Sequence, residues 1–140
     1  MAQVSTYLNF QDCAEEAMTH YRELFDGEVV GQFVRFGDMA FAEGPDVPEE
    51  DRNKIMHMEV TIADGHVLMA TDMLASQGQH VRVGNNTTVM VQLDERAEVD
   101  RIFAALASGE EEQAPSLMPW GQYWSVCLDR FGIRWMLAAD

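Results

Sequence analysis

Residues 6–27 read TYLNFQDCAEEAMTHYRELFDG, and in this stretch a strand pattern runs directly into a helix pattern. β-Branched and aromatic residues at its start predict a strand over residues 4–10. Asp12 and Glu15 have the spacing of a capping box, apolar residues then recur at helical intervals, and Gly27 supplies a stop. The stretch therefore predicts a β-α unit.

A second, diverged copy of this unit begins about 82 residues later. A shift of about 82 residues places Thr6 on Thr88, and a shift of about 67 residues places Met69 on Met136. Although few identities remain, the order of elements and the packing positions agree between the halves. We therefore interpret the chain as a duplicated module.

The rest of the first half is predicted to form strands. They cover residues 29–36, 55–62 and 67–71. In the strand over residues 55–62, apolar residues alternate with a more polar set: His57, Glu59 and Thr61. The acidic, proline-bearing segment over residues 43–53 predicts a loop.

The second half repeats this order of elements. Its strands are predicted over residues 87–93, 122–128 and 133–138. Asp94 is predicted to cap a helix that ends at Gly109, and residues 110–120 are predicted to be mostly loop, with room for a short edge strand.

Length and composition restrict the class of protein. The 140 residues suit a single domain, with module one over about residues 1–76 and module two over about residues 85–140. A net charge of -15 disfavours nucleic acid and membrane surfaces as partners. Without a signal peptide, an apolar run of about 20 residues or a C-x-x-C pair, we expect a cytoplasmic protein whose Cys13 and Cys127 are reduced.

The predicted fold class is α+β, with two paired β-α-β-β-β modules that form a curved, mostly antiparallel sheet with a cleft. One face of each sheet is predicted to pack under a helix through Met56, Met58, Val60, Val89, Val91, Leu93, Trp124 and Trp135. The other face is predicted to carry His57, Glu59, Thr61, Thr88, Met90, Gln92, Tyr123, Ser125, Arg134 and Met136. Polar groups on an apolar floor are typical of a small-molecule site.

Several motifs, in order along nearly the whole chain, resemble the vicinal-oxygen-chelate superfamily, which includes glyoxalases, extradiol dioxygenases and bleomycin-resistance proteins. The motifs are YLNF (7–10), AEEA (14–17), YRELF (21–25), MH (56–57), DG (64–65), LM (68–69) with Asp72, WG (120–121) and DRFGIRW (129–135). The chain is most similar to the PhnB-like branch. This resemblance implies paired β-α-β-β-β modules and a homodimer in which modules pair across chains.

The resemblance also implies four strand positions at which metal-binding members hold a divalent ion through His or Glu. In this sequence those positions fall on Thr6, Met69, Thr88 and Met136. Hydroxyl and thioether groups do not hold such an ion as imidazole and carboxylate do. We therefore expect no metal and no other cofactor, and no metal-dependent glyoxalase or dioxygenase mechanism.

His57 and Glu59 are the candidate catalytic residues, because they lie two apart on one face of a strand. They could act as a base with its orienting partner or as two metal ligands. The alternative is a polar pair on a half-buried sheet face, and no third ligand is evident in the sequence.

Aromatic and basic residues near the closing hairpin could recognise a ligand. Trp120, Tyr123 and Phe131 could stack on a flat molecule, although core packing would explain them equally well. Arg134 could anchor a carboxylate or phosphate, or form a surface ion pair instead. Cys127 has no activating histidine nearby in the sequence, which predicts a small buried residue.

The leading functional hypothesis is a metal-independent protein that binds a small apolar or aromatic molecule in the cleft. Its predicted ligand-binding residues are Thr6, Met69, Thr88, Gln92, Trp120, Tyr123, Ser125, Arg134 and Met136. One alternative is a lyase or isomerase, or a metal-dependent glyoxalase-like or dioxygenase-like enzyme, that uses His57 and Glu59. Another is a protein with a collapsed pocket that acts through its dimer surface.

The PhnB-like branch often carries a methyltransferase-like label, but nothing in this sequence resembles a methyl-donor site.

Overall fold

The computed structural model describes residues 1–38 and 47–140. The chain divides into two units, Met1–Val81 and Arg82–Asp140. The loop predicted over residues 43–53 lies partly outside the described residues, and its described end contains a single turn of 3-10 helix, Glu49–Asp51. In the described part of the chain, no helix is both long and apolar enough to cross a membrane.

The first unit has one α-helix and one four-stranded sheet among its described residues. Its elements are β1 (Thr6–Phe10), α1 (Ala14–Leu24), β2 (Val29–Arg35), β3 (Ile55–Ile62) and β4 (His66–Asp72). The strand order is β1-β4-β3-β2, with β1 parallel to β4 and the other neighbours antiparallel.

The second unit repeats this topology. Its elements are β5 (Val89–Gln92), α2 (Arg96–Leu106), β6 (Ala107–Leu117), β7 (Tyr123–Asp129) and β8 (Arg134–Ala139). The strand order is β5-β8-β7-β6, with β5 parallel to β8 and the other neighbours antiparallel. The predicted α+β class and the β-α-β-β-β order of each half are thus confirmed.

Each helix covers one face of its own sheet, since α1 packs on β3 and β4, and α2 packs on β6, β7 and β8. Fully buried residues under α1 are Phe10, Met18, Tyr21, Met58, Val60 and Leu68. Buried residues under α2 are Val91, Val99, Ile102, Cys127, Trp135 and Leu137. Burial at about 25 cal/mol per Å² of apolar surface makes these faces the main source of stability. The opposite face of each sheet is not covered by its own helix.

The start of α1 differs from the predicted capping box. The residue before the helix is Cys13, whose side chain makes no capping hydrogen bond, and Asp12 adopts a left-handed conformation with φ of 67°. Asp72 at the end of β4 caps the helix instead, because its Oδ1 accepts a hydrogen bond of 2.9 Å from the Ala14 N–H. A residue distant in sequence thus performs the role predicted for a local one.

The ends of α2 also differ from the prediction. Glu95, not Asp94, precedes the first turn, and its side chain makes no capping hydrogen bond. The helix ends at Leu106 rather than at Gly109, and β6 begins at Ala107. Residues 110–117, for which mostly loop and at most a short edge strand were predicted, therefore belong to an 11-residue strand. Its register against β7 shifts three times, which removes the alternation of polar and apolar residues by which strands are recognised.

Candidate functional site

We call the helix-free surface of the first sheet the first open face; it carries Tyr7, His57, Glu59, Thr61, Met69 and Thr71. The register places Tyr7 beside Met69 and Met69 beside Glu59, so these three residues form a row across β1, β4 and β3. His57 lies two residues before Glu59, on the same side of β3. The predicted catalytic pair therefore shares a surface with Met69 and with Tyr7.

The imidazole of His57 has a partner on each side. A hydrogen bond of 3.0 Å joins Tyr7 Oη to His57 Nδ1, and the two rings lie 5.6 Å apart. On the other side, His57 Nε2 lies 3.6 Å from Glu59 Oε1. Burial raises the pKa of the Tyr7 phenol and the nearby Glu59 charge raises it further, while a hydrogen bond with Thr71 opposes the rise. The phenol is therefore protonated at neutral pH.

Tyr7 is a residue of this surface that the sequence did not predict. The β1 residue predicted for the site is Thr6. Thr6 pairs with the buried Leu68 and hydrogen-bonds His66 Nε2 at 2.8 Å, so it does not lie beside Met69. The alternation in β1 contained the signal. Since Leu8 is apolar and belongs to the core, its neighbour Tyr7 has to lie on the opposite face.

We call the helix-free surface of the second sheet the second open face; it carries Met90, Gln92, Trp124, Val126, Arg134 and Met136. The register aligns Met90, Met136 and Val126 in one row across β5, β8 and β7. In the next row, Gln92 and Trp124 both pair with Ala138. The centre of this face is thus apolar and sulfur-rich, and Met90 is 50% exposed.

Polar groups border this apolar centre at both ends. At one end, Arg134 Nε donates a hydrogen bond of 3.3 Å to Thr88 Oγ1. At the other end, Gln122 Nε2 donates one of 2.9 Å to Gln92 Oε1. Thr88, Gln92, Arg134 and Met136, all predicted ligand-binding residues, are therefore brought together here.

The exposed indole of Trp120 lies next to the second open face. It is 66% exposed, and its ring packs edge-on against the ring of Trp124, with the two ring centres 6.5 Å apart. Its Nε1 donates a long hydrogen bond of 3.4 Å to Gln122 Oε1. The predicted ligand-binding residue Trp120 therefore extends the aromatic part of this surface.

The predicted face of β7 is wrong by one residue. Tyr123 lies on the helix side, where it donates a hydrogen bond of 2.6 Å to Asp100 Oδ1 of α2. Ser125 is fully buried and donates one of 3.1 Å to the Leu137 carbonyl. Trp124, which was predicted to lie under the helix, occupies the open face instead. The small side chains of Ser125 and Cys127 leave room under α2 for the buried Trp135.

The four positions at which the resemblance implies a metal in other members carry only hydroxyl and thioether groups in this chain: Thr6, Met69, Thr88 and Met136. On the open faces, Met69 pairs with Tyr7, and Met136 pairs with Met90. Thioethers and a protonated phenol do not suit a hard or borderline divalent ion. Within residues 1–38 and 47–140, no three His, Cys, Asp or Glu side chains lie close enough together to hold a metal ion.

A family model described as 3-demethylubiquinone-9 3-methyltransferase matches residues 2–138 of this chain. No protein with a curated description matches it.

Solved structures share the fold over the whole chain. Protein PA1353 from Pseudomonas aeruginosa is 26% identical, with a TM-score of 0.80 and coverage of 100% of this chain and 98% of that one. A PhnB protein from Bacillus cereus is 24% identical, with a TM-score of 0.75 and coverage of 99% and 100%. A bleomycin-binding protein in complex with bleomycin is 14% identical, with a TM-score of 0.57 and coverage of 100% and 99%.

Proposed function

The chain belongs to the family described as 3-demethylubiquinone-9 3-methyltransferase, a PhnB-like branch of the glyoxalase and bleomycin-resistance fold, and from that premise we propose that it binds a small apolar or aromatic molecule without a metal ion. The proposed binding surface is the second open face, together with Trp120.

The observation that carries the proposal is the polar-apolar-polar order along this surface. Met90, Met136 and Trp124 form an apolar centre, and the Arg134–Thr88 and Gln122–Gln92 pairs lie at its ends. Thr88 and Gln92 are four residues apart, which corresponds to about 13 Å along a strand. A flat molecule of three fused rings with a polar group at each end approaches this length, and a smaller aromatic molecule could cover the centre and reach one end.

The side chains suit an aromatic ligand. Thioethers make favourable contacts with ring edges, worth about 0.3–1.5 kcal/mol each, and adapt their shape to different ligands. Edge or offset packing against an indole contributes about 0.5–1.5 kcal/mol beyond simple burial. Three such contacts, added to the burial of apolar surface, are enough for binding in the micromolar to millimolar range.

We propose binding without a metal ion because the hydroxyl and thioether groups of Thr6, Met69, Thr88 and Met136 do not suit a divalent ion. A bleomycin-binding protein has this fold, so the fold is compatible with binding a small molecule, but identity of 14% carries no particular ligand over to this chain. We do not propose methyl transfer, which the family's description names, because nothing in the sequence resembles a site for a methyl donor.

Binding can be tested with 2-naphthol, a flat aromatic alcohol, by NMR of protein labelled with carbon-13 in the methionine methyl groups. We expect 2-naphthol to shift the Met90 and Met136 signals and to leave the buried Met18 and Met58 signals unchanged. Trp124→Ala should weaken binding about tenfold, which corresponds to about 1.4 kcal/mol.

The matched control is Leu117→Ala, which shortens a side chain that is 59% exposed in the same unit but pairs with Tyr123, away from the second open face. It should bind 2-naphthol as the wild type does. Protein treated with a chelator should also bind unchanged. Loss of binding after chelation would contradict the metal-independent mechanism, and equal shifts at all methionines would contradict the location.

A further inference from the structure

We propose that Tyr7, His57 and Glu59 form an acid–base site that isomerises a small neutral ketone to its enol. This activity goes beyond the binding proposed above and does not depend on it, since it uses the first open face. The three side chains belong to β1 and β3, which are separated in the sheet by β4.

The imidazole of His57 lies between the Tyr7 phenol and the Glu59 carboxylate. His57 Nδ1 lies 3.0 Å from Tyr7 Oη, and His57 Nε2 lies 3.6 Å from Glu59 Oε1. In the tautomer with a proton on Nδ1, His57 donates to Tyr7 Oη and its Nε2 is free to accept a proton, while the nearby Glu59 carboxylate stabilises the imidazolium that forms. The side chains of His57 and Glu59 are 34% and 26% exposed, and Tyr7 is 47% exposed, so a substrate can reach all three.

The second unit of the chain shows that the fold does not need these polar groups. Met69 in the first unit and Met136 in the second occupy equivalent positions. Met69 pairs with Tyr7 and Glu59 on the neighbouring strands, whereas Met136 pairs with Met90 and Val126.

By the same register His57 corresponds to Trp124. His57 lies two residues before Glu59 in β3, and Trp124 lies two residues before Val126 in β7. The second unit therefore fills all three positions with apolar side chains. A polar trio at these positions in the first unit is consequently a feature of this surface rather than a requirement of the topology.

The phenol of Tyr7 can act as the acid of this site. Burial and the Glu59 charge raise the pKa of the phenol, so it keeps its proton at neutral pH and can donate it to a developing oxyanion. Glu59 can in turn stabilise the positive charge that His57 acquires when it accepts a proton.

The proposed step conserves protons and electrons. His57 Nε2 takes a proton from the carbon next to the carbonyl, the C–H electron pair becomes a C=C bond, and the carbonyl π pair moves to oxygen. Tyr7 gives its proton to this oxygen and regains one from His57 Nδ1. The products are the enol, a neutral phenol and a neutral imidazole in its other tautomer, which is the form required for the reverse reaction.

The surroundings favour a neutral, partly apolar ketone. Met69 lies between Tyr7 and Glu59 and supplies an apolar floor. The chain's net charge of -15, together with the nearby Glu59 carboxylate, disfavours an anionic substrate. A suitable probe is 2-tetralone, an uncharged bicyclic ketone with an acidic benzylic C–H beside its carbonyl.

The experiment measures deuterium exchange at the acidic carbon of 2-tetralone in D2O by proton NMR, with a chelator present. The wild type should exchange this position faster than buffer alone, and His57→Gln should lower the enzymatic rate about 100-fold. Tyr7→Phe, which keeps the ring and its packing, should lower it at least tenfold. The control His80→Gln replaces an exposed histidine outside the site and should keep the wild-type rate.

Glu59 is a positioning residue, and its test needs a second readout. Glu59→Gln should lower the exchange rate and also change the ratio of the two His57 tautomers in nitrogen-15 NMR, while Glu59→Asp should partly restore both. A merely structural role would not move the tautomer ratio of a variant with an unchanged melting temperature.

Two results would overturn the proposal: exchange by the wild type at the buffer rate, or a wild-type rate in folded Tyr7→Phe. A failure of 2-naphthol to bind the second open face would leave this expectation unchanged, because the exchange uses only residues of the first open face. The two proposals therefore stand or fall separately.

Discussion

Asp72 and Asp129 are almost fully buried, and each carboxylate joins separate parts of its unit. Asp72 accepts hydrogen bonds of 2.9 Å from the Ala14 and Ile55 N–H groups, so it ties the start of α1 and of β3 to the end of β4. Burial raises the pKa of the Asp72 carboxyl despite these two bonds. Asp72 belongs to one of the motifs that resemble the superfamily. No local pattern in the sequence, however, shows from which distant N–H groups its carboxylate accepts hydrogen bonds.

Asp129 performs a similar task in the closing hairpin. Its Oδ1 accepts hydrogen bonds of 2.9 Å from the Phe131 and Ile133 N–H groups, and its Oδ2 accepts one of 2.9 Å from Trp135 Nε1. The carboxylate thus shapes the turn and satisfies the indole of a fully buried tryptophan. The DRFGIRW motif therefore has a structural explanation within one hairpin.

At the residue scale, the ion pair between Glu15 and Arg35 predicts a pH dependence. Two hydrogen bonds, of 3.0 and 2.7 Å, join the guanidinium to the carboxylate and lower the pKa of Glu15. Because the folded pKa is lowered, the stabilisation is present above the ordinary pKa of 4.5 and is lost as the pH falls through the folded value.

Glu15→Gln should therefore lower the free energy of unfolding by about 0.5 kcal/mol at pH 7, because the pair is partly exposed. This difference from wild type should vanish in acid, as measured by urea unfolding at several pH values. In an Arg35→Met background, Glu15→Gln should have no pH-dependent effect. A difference that is constant with pH would contradict the role of the pair.

At the scale of elements, alternation along a strand predicted the faces of β3, β5 and β8 but not of β7. Met58, Val60, Val91 and Trp135 are buried as predicted. In β7 the sequence YWSVCLD has apolar or aromatic residues on both faces, so either register satisfies the pattern. Packing under α2 decides between them, because the buried Trp135 leaves room only for small side chains beside it.

The connection after α1 predicts a large effect of one substitution. A Cβ atom on Gly27 would lie 1.7 Å from the Thr61 carbonyl oxygen, which is backbone and cannot move aside easily. Gly27→Ala should therefore lower the free energy of unfolding by about 3 kcal/mol, the upper part of the range for overpacking.

The control for this substitution is Gly84→Ala, since a Cβ on Gly84 would meet its nearest atom, Asn86 Oδ1, at an ordinary 3.6 Å. Gly84→Ala should change the free energy of unfolding by less than about 0.5 kcal/mol. Equal effects of the two substitutions in urea unfolding would contradict the close approach of Gly27 to β3.

At the scale of the whole molecule, the chain consists of two units with one topology and different surfaces. Both carry a helix on one sheet face, yet the first open face contains a tyrosine, a histidine and a glutamate, and the second contains methionines and a tryptophan. The two units thus share a buried face under each helix, built from different residues, and they differ in the chemistry of their helix-free faces.

The excess of acidic residues predicts that salt stabilises the whole chain. With 24 acidic against 9 basic residues, like charges repel one another in the folded protein. Raising NaCl from 10 to 300 mM shortens the screening length to less than about 10 Å, so the melting temperature should rise by about 3–5 °C. KCl should act equally, and a melting temperature that falls or stays constant would contradict net repulsion.

The sequence alone determined the order of the elements, the duplication and the family, because periodicity, turn residues and motifs are local properties that need no knowledge of contacts. It also identified His57, Glu59, Met136 and Arg134 as residues of helix-free faces, since each alternates with core residues along its strand. Only the tertiary structure decided the face of β7, the extent of β6 and the partner of His57. Tyr7 and His57 are 50 residues apart and meet only because β1 and β3 both pair with β4. Such contacts depend on register between distant strands, which no local pattern contains.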